Sequence, residues 1–152
     1  MAFDAFLKVE GCPGESTDDA HKEWIEILSY SMGVSQPSSP TSTAGSMSAE
    51  RANFQDFVVT KVIDKASPKL ALQCASGEHF KEVKLELCRA AGDKQKYMEY
   101  RMTDCIVTSF RPGGHSGGAE SLPLEEVSFS YGKIEWKYTS TDSQTGKAKG
   151  DV

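Results

Sequence analysis

The residues able to do chemistry are four cysteines (Cys12, Cys74, Cys88, Cys105), three histidines (His21, His79, His115) and scattered carboxylates. A nucleophilic cysteine needs a neighbour that stabilises its thiolate. Cys74 lies five residues from His79 and Cys105 ten from His115; neither spacing dictates contact, and burial as a structural thiol is the commoner fate of a free cysteine. The cysteine spacings of 62, 14 and 17 contain no Cys-x-x-Cys pair of the kind zinc sites use. Asp18-Asp19-Ala20-His21 offers two carboxylates and an imidazole to a metal, yet beside Glu15-Ser16-Thr17 it reads equally as a solvated turn. Pro112-Gly113-Gly114-His115-Ser116-Gly117-Gly118 has the glycine content of a phosphate cradle, but no Gly-Lys-Ser/Thr and no helix start follows it. Glu125 and Glu126, adjacent in a strand pattern, would point to opposite faces and cannot act on one substrate. These residues give no catalytic group, no metal ligand and no cofactor, which favours a structural or binding role.

The elements that must position these side chains are mostly strands. Period-two alternation recurs: Phe3, Ala5, Leu7 and Val9 alternate with Asp4, Lys8 and Glu10, and Val83, Leu85 and Leu87 with Lys84, Glu86 and Cys88. Residues 24–36 and 54–64 also read as strands, followed by two long ones over 97–110 and 124–139. In the last, the apolar set runs Val127, Phe129, Tyr131 and then Ile134, Trp136, Tyr138. The flip at Gly132-Lys133 predicts either a β-bulge at Gly132 or a bend there. Residues 24–36 change phase too, from Ile25/Ile27 to Leu28/Tyr30/Met32/Val34. One short helix is signed over about 68–76, with Ser67 as its cap, Pro68 at its first position and Gly77 as its left-handed stop. The expectation is a mainly β fold: a β-barrel of two packed sheets with one short flanking α-helix.

The chain holds 152 residues, 17 basic against 22 acidic, a length that buries one core without disulfide or metal staples. A net charge of −5 argues against nucleic acid, whose binding draws on clustered Lys and Arg. The opening residues carry Asp4 and no apolar stretch, so neither a secretory signal nor a membrane anchor is expected, and the chain is expected to fold in the cytoplasm. Residues 1–152 read as a single domain with two appendages. One is a flexible extended loop over 35–53, rich in Ser, Thr, Pro and Gly; no charge occurs from Ile27 through Ala49. The other is a polar tail over 140–152, expected to fray.

The motifs GCPGESTDDAHKEWIEILSYSMGVSQP, FVVTKVIDKASPKL, CASGEHF, GGHSGG and SFSYGKIEWKY, in this order from Phe3 to about Tyr138, resemble the Hcp family, the haemolysin-coregulated proteins that form the tube of the bacterial type VI secretion system. One departure is Ser31-Met32-Gly33, where family members often carry Ser-Trp-Gly.

The resemblance implies a non-enzymatic subunit of hexameric rings. These stack into a tube inside a sheath, are capped by a spike, and are exported without a signal peptide, carrying small effector proteins in the lumen. A ring acting mainly as effector carrier or chaperone is the alternative it allows. It further implies a ring-stacking role for Ser38, Ser39, Pro40, Thr41, Ser42 and Thr43, and an opposite-rim role for Gly113, Gly114, His115, Gly117 and Gly118. Leu28 and Ser31 become candidate lumen contacts for effectors. No membrane insertion is implied. The pairing of the cysteines after export is left open.

Overall fold

The computed structural model describes residues 2–40, 47–90, 94–118, 122–141 and 148–151. Its strands are β1 (Phe3–Val9), β2 (Ile25–Ile27), β3 (Ser29–Ser31), β4 (Val34–Ser35), β5 (Ser38–Pro40), β6 (Met47–Ala49), β7 (Asn53–Phe54) and β8 (Phe57–Val62). Helix α1 (Ser67–Ser76) follows, then β9 (Phe80–Arg89), β10 (Lys96–Gly113), β11 (Leu124–Thr141) and β12 (Ala148–Asp151). The fold is mainly β, as expected. The main sheet runs β2-β1-β9-β10-β11-β8-β3 through antiparallel pairs. Its two ends, β2 and β3, are consecutive pieces of one strand-like segment, so the sheet curls round into a nearly closed barrel.

That segment explains the first phase change. Ile25–Ile27 pairs with β1 and buries Ile25 and Ile27. At Leu28 the chain changes partner, its N–H donating to the Thr60 carbonyl at 2.8 Å, and Ser29–Ser31 pairs with β8. Residues 24–36 are therefore three short strands rather than one long one, and the slip in hydrophobic phase marks the exchange of partners. Inside the seam Tyr30 reaches across to Tyr100 (hydroxyl oxygens 3.3 Å apart), and both rings pack on Phe57. Desolvation pushes the Tyr100 phenol well above its ordinary value, so it stays protonated.

The second phase change is a bend. Pairing between β10 and β11 keeps one register from Met98↔Tyr138 to Thr103↔Lys133 and from Cys105↔Tyr131 to Val107↔Phe129, with Asp104 and Gly132 facing each other unpaired between the two runs. Asp104 is left-handed (φ 55°), and a Cβ on Gly132 would stand 3.2 Å from its carboxylate. Glycine at 132 thus leaves room for the Asp104 side chain where the two strands bend. The register shift itself falls between Val107 and Ser109, so no bulge sits at Gly132.

The core fills with Leu7, Ile25, Phe57, Val59, Leu70, Val83, Leu85, Met102, Val127 and Phe129, all fully buried. Amid them sits a charge. Lys61 is 0% exposed and faces the same interior as Phe57 and Val59. It stands in register with Glu125, which is 2% exposed. Its ammonium donates to Glu125 Oε2 (2.7 Å), Asp64 Oδ1 (2.9 Å) and Ser67 Oγ (3.1 Å), using its full donor capacity. Ser67 is thus not the helix cap. It is already helical and its hydroxyl donates to Glu125 (2.7 Å), while Asp64 Oδ1 accepts from the Ala66 N–H at the helix entry. Gly77 ends α1 in the left-handed conformation, as expected.

Outside the barrel, residues 10–24 fold over β1 and β9. His21, 4% exposed, stacks on Phe6 (centroids 4.2 Å apart) and places Nδ1 2.7 Å from Asp18 Oδ2 and Nε2 2.6 Å from Glu86 Oε2. The imidazolium form donates to both carboxylates at once; a neutral ring has one N–H and serves one of them. The polar tail also differs from expectation: residues 148–151 return as β12 and pair with β11 at Thr139–Thr141.

Two predictions follow from these clusters. Glu125→Ala strands the Lys61 ammonium in the core and should cost about 3–5 kcal/mol, whereas the Lys61→Met/Glu125→Leu double variant should cost distinctly less. Urea unfolding at matched protein concentration decides; a double variant as unstable as the single one would contradict the assignment. The hydrogen bond from His21 holds the Asp18 carboxyl below the usual aspartate range. A depressed carboxyl stabilises the fold above its unfolded pKa and loses that contribution as pH falls through the folded value. The stability deficit of Asp18→Asn should therefore be full at neutral pH and shrink as pH drops below about 4. A deficit independent of pH in thermal melts would count against it.

Candidate functional site

The chemistry-bearing residues do not assemble into an active site. His79 is taken by Asp104 (Nδ1 to Oδ1, 2.8 Å) on an exposed surface. Cys105 is buried in β10, whereas His115 lies ten residues further along, past the strand end at Gly113, so the strand remaining after Cys105 already spans about 25 Å. The cysteine that does meet a histidine is one that spacing missed: Cys88 Sγ lies 3.9 Å from His21 Nε2. The two are 67 positions apart and meet only because β9 pairs with β1 beneath the 10–24 segment. Burial, aided by the Glu86 charge, pushes the Cys88 thiol up to about 11, and burial raises Cys105 to about 11 as well. Both remain thiols at neutral pH, the wrong form for a nucleophile. The four cysteines are free. Asp18 and His21, weighed as metal ligands, are engaged with each other and with Glu86, and no group of three or more His, Cys, Asp or Glu among the described residues is placed to hold a metal ion. Glu125 and Glu126 do point apart, one buried against Lys61 and one exposed.

The candidate site is therefore a set of surfaces at the two ends and on one wall of the barrel. At the Phe57 end of β8, residues 34–40 and 47–54 leave the barrel as an arm of paired strands. Val34 and Ser35 pair with Phe54 and Asn53, and further out Ser38, Ser39 and Pro40 pair with Ala49, Ser48 and Met47. The arm's base is tied down: Gln55 N–H donates to the Gly33 carbonyl (2.8 Å), Tyr131 Oη donates to the Gln55 carbonyl (2.8 Å), and Phe54 packs edge-on against Tyr131. Of the six residues given a stacking role, Ser38, Ser39 and Pro40 lie on β5, whereas Thr41, Ser42 and Thr43 fall outside the described residues.

At the other end of β8 and β11, the glycine-rich connection leaves β10 at Gly113. Because β8 pairs with β11 from Phe57↔Phe129 to Val62↔Leu124, this loop and the arm sit at opposite ends of the same two strands, about 20 Å apart. Gly113, Gly114, His115, Gly117 and Gly118 are all exposed. With Arg111, Leu122 and Pro123 the loop borders a cleft of about 520 Å³. Gly117 is left-handed (φ 109°), and Gly114 passes close enough to Pro123 that a Cβ would lie 3.1 Å from that ring.

Leu28 and Ser31 both face outward, Leu28 being 56% exposed. Beside them the outward residues of β3 and β8 are small and uncharged, Ser29 opposite Thr60 and Ser31 opposite Val58; on β11 the buried Ser128 follows Val58 and the exposed Glu126 follows Thr60. The opposite outer wall differs in kind. There Lys84, Lys96 and Arg101 interleave with Glu82, Glu86 and Glu99 across β9 and β10. Among the described residues no helix is long and apolar enough to cross a membrane.

Comparison with known proteins agrees with this geometry. Residues 6–138 match the family model "Type VI secretion system effector, Hcp". The chain is 35% identical to the protein hcp1 of Pseudomonas aeruginosa over all of its own length and 93% of that protein's. It superposes on a solved type six secretion system protein with a TM-score of 0.93 at 36% identity, covering 99% of this chain and 92% of the other. At 12% identity and a TM-score of 0.60, covering 88% of each chain, the same fold recurs in the sheath–tube complex of an extracellular contractile injection system. Family model, full-length relative and barrel together establish that the chain belongs to the Hcp family of type VI secretion system proteins.

Proposed function

We propose that the protein is the tube subunit of a type VI secretion system, closing into homohexameric rings that stack into the inner tube and leave the cell with effector cargo. The observation that carries this reading is polarity: a paired arm with uncharged outer strands, β5 and β6, at one end of the barrel and an exposed cleft-bearing loop at the other. A subunit with complementary opposite ends makes heterologous contacts, which propagate along one axis without limit. The arm suits repeated contact because segment 27–49 carries no charge in a chain of net charge −5, so approaching copies meet no like-charge repulsion there.

Within a ring, the free edge of β11 is where a neighbour adds. Between its pairing with β8, which ends at Phe129, and with β12, which begins at Thr139, β11 pairs on one side only among the described residues. Exposed Trp136 and Tyr138 lie on that stretch. Unpaired edges with apolar side chains are covered in stable assemblies. The smooth wall around Ser29, Ser31, Val58 and Ser128 would then face the lumen, with Leu28 at its lip as the cargo contact. Sheath and spike proteins are the expected outer and terminal partners. A ring that serves mainly as an effector carrier is the second reading, favoured by the exposure of Leu28.

Native mass spectrometry should give six times 16.6 kDa, and a strictly monomeric protein at high concentration would sink the proposal. Deleting residues 38–47 should abolish stacking while leaving the hexamer intact; unchanged tubes in electron micrographs would remove the arm from the stacking contact.

A further inference from the structure

The formal charge is distributed unevenly. Residues 1–26 hold seven of the 22 acidic side chains and two of the 17 basic ones, leaving 15 of each in residues 27–152. The whole net charge of −5 thus belongs to the first 26 residues. The fold gathers much of it around Leu28. This side chain forms the ridge between two concavities of about 700 and 280 Å³. The larger is walled by Asp4, Asp18 and Asp19, the smaller by Glu15 and Asp64, and Glu26 belongs to both. Apolar side chains run through the same ground: Phe3 (41% exposed) in the first, Ile63 (47%) and Leu122 (65%) in the second, with Leu28 joining them. Lys94 is the single cation lining either, and it is already shared between Asp4 (3.7 Å) and Asp18 (3.5 Å). Glu15, Asp19 and Glu26 have no ion-pair partner among the described residues.

We propose that this apolar ridge, flanked by carboxylates, docks a cationic polypeptide segment, in which an aliphatic side chain covers Leu28 and flanking Lys or Arg side chains enter the two concavities. The proposal rests on the reading of Leu28 as the cargo contact, and it names the chemistry of the cargo. Both components are needed. An apolar ridge alone would accept any hydrophobic partner, and carboxylates alone would attract any cation. Their interleaving selects a segment with both features, since like-charged cargo would bury acid against acid. The chain's own arm is the wrong occupant: its outer strands lie in the uncharged segment 27–49, and its one cation, Arg51, stands next to Glu50, too little for the unpaired Glu15, Asp19 and Glu26. An anionic lipid surface or a nucleic acid is repelled for the same reason.

The test uses fluorescein-labelled synthetic peptides on the full-length protein: one of alternating lysine and leucine, one with glutamate replacing lysine, and one with serine replacing leucine. Fluorescence anisotropy should show binding of the first and little of the other two. Asp19→Asn/Glu26→Gln should weaken binding of the lysine–leucine peptide about tenfold at low salt and flatten its salt dependence. Leu28→Ser should weaken it at least about fivefold while keeping the salt dependence. Glu78→Gln/Glu135→Gln, which removes equal charge elsewhere, should leave it within about twofold. Equal weakening by that control pair, equal binding of the glutamate peptide, or indifference to Leu28→Ser overturns the proposal. Native mass separates the two readings. A hexamer whose peptide binding ignores these substitutions defeats the docking surface alone, and a monomer that binds as described defeats the ring alone.

Discussion

An open β-sheet must do something with its edges, and the arrangement of this chain answers that requirement. A row of unpaired backbone donors and acceptors invites other chains. Here one short segment, residues 25–31, closes most of the sheet by pairing first with β1 and then with β8. Closure is what creates an enclosed core, with Tyr30 of the seam meeting Phe57 of the adjacent β8 and Tyr100 of the more distant β10. It also leaves Leu28 outward: Leu28 keeps the alternation set by buried Ile25 and Ile27, and the phase resets only after it, where Tyr30 turns inward on the new partner. The cargo candidate is thus exposed at the point where the barrel is shut.

Two polar clusters hold this closed form where apolar packing cannot. Lys61 and Glu125 face each other across β8 and β11 inside the barrel, roofed by the start of α1 through Ser67 and Asp64. A pair of this kind adds little net stability over hydrophobic replacements, but it penalises any register in which its members part. That penalty fixes the helix to one end of the barrel. On the outside, His21 joins the 10–24 segment to β9 through Glu86, so the acid-rich opening residues are pinned beside the seam. The charge that distinguishes this end is thus positioned by a histidine clamp, and the outer strands of the arm at the other end carry none.

Much of this was legible in the sequence because it rests on local rules. Alternation located β1 and β9, the Ser-Pro start and Gly77 located α1, and the phase flips at Leu28 and Gly132 marked the partner exchange and the bend. What local rules missed depends on pairing across the chain. Lys61 looks like any lysine in an alternating strand until Glu125 is placed opposite it 64 residues away. Ser67 looks like a cap until that pair needs a hydroxyl. Cys88 meets His21 through the β1–β9 register, a pairing 67 positions apart that no local spacing signals. The paired arm was hidden by its composition: Ser and Pro read as loop, but Val34 and Phe54 at its base and the Ser38–Ala49 partnership beyond them give it a ladder.

In the proposed tube the 152 residues are one segment of a ring whose inner surface is the small-residue wall beside Leu28 and whose stacking axis runs from the arm to the glycine-rich loop. A cryo-electron microscopy map of the purified protein tests this most directly. It should show a six-fold ring with a central hole, Leu28 and Ser31 on the inner wall, and the arm and the 112–118 loop on opposite rims. A ring with β3 on its outer surface, or with both appendages on one rim, would contradict it.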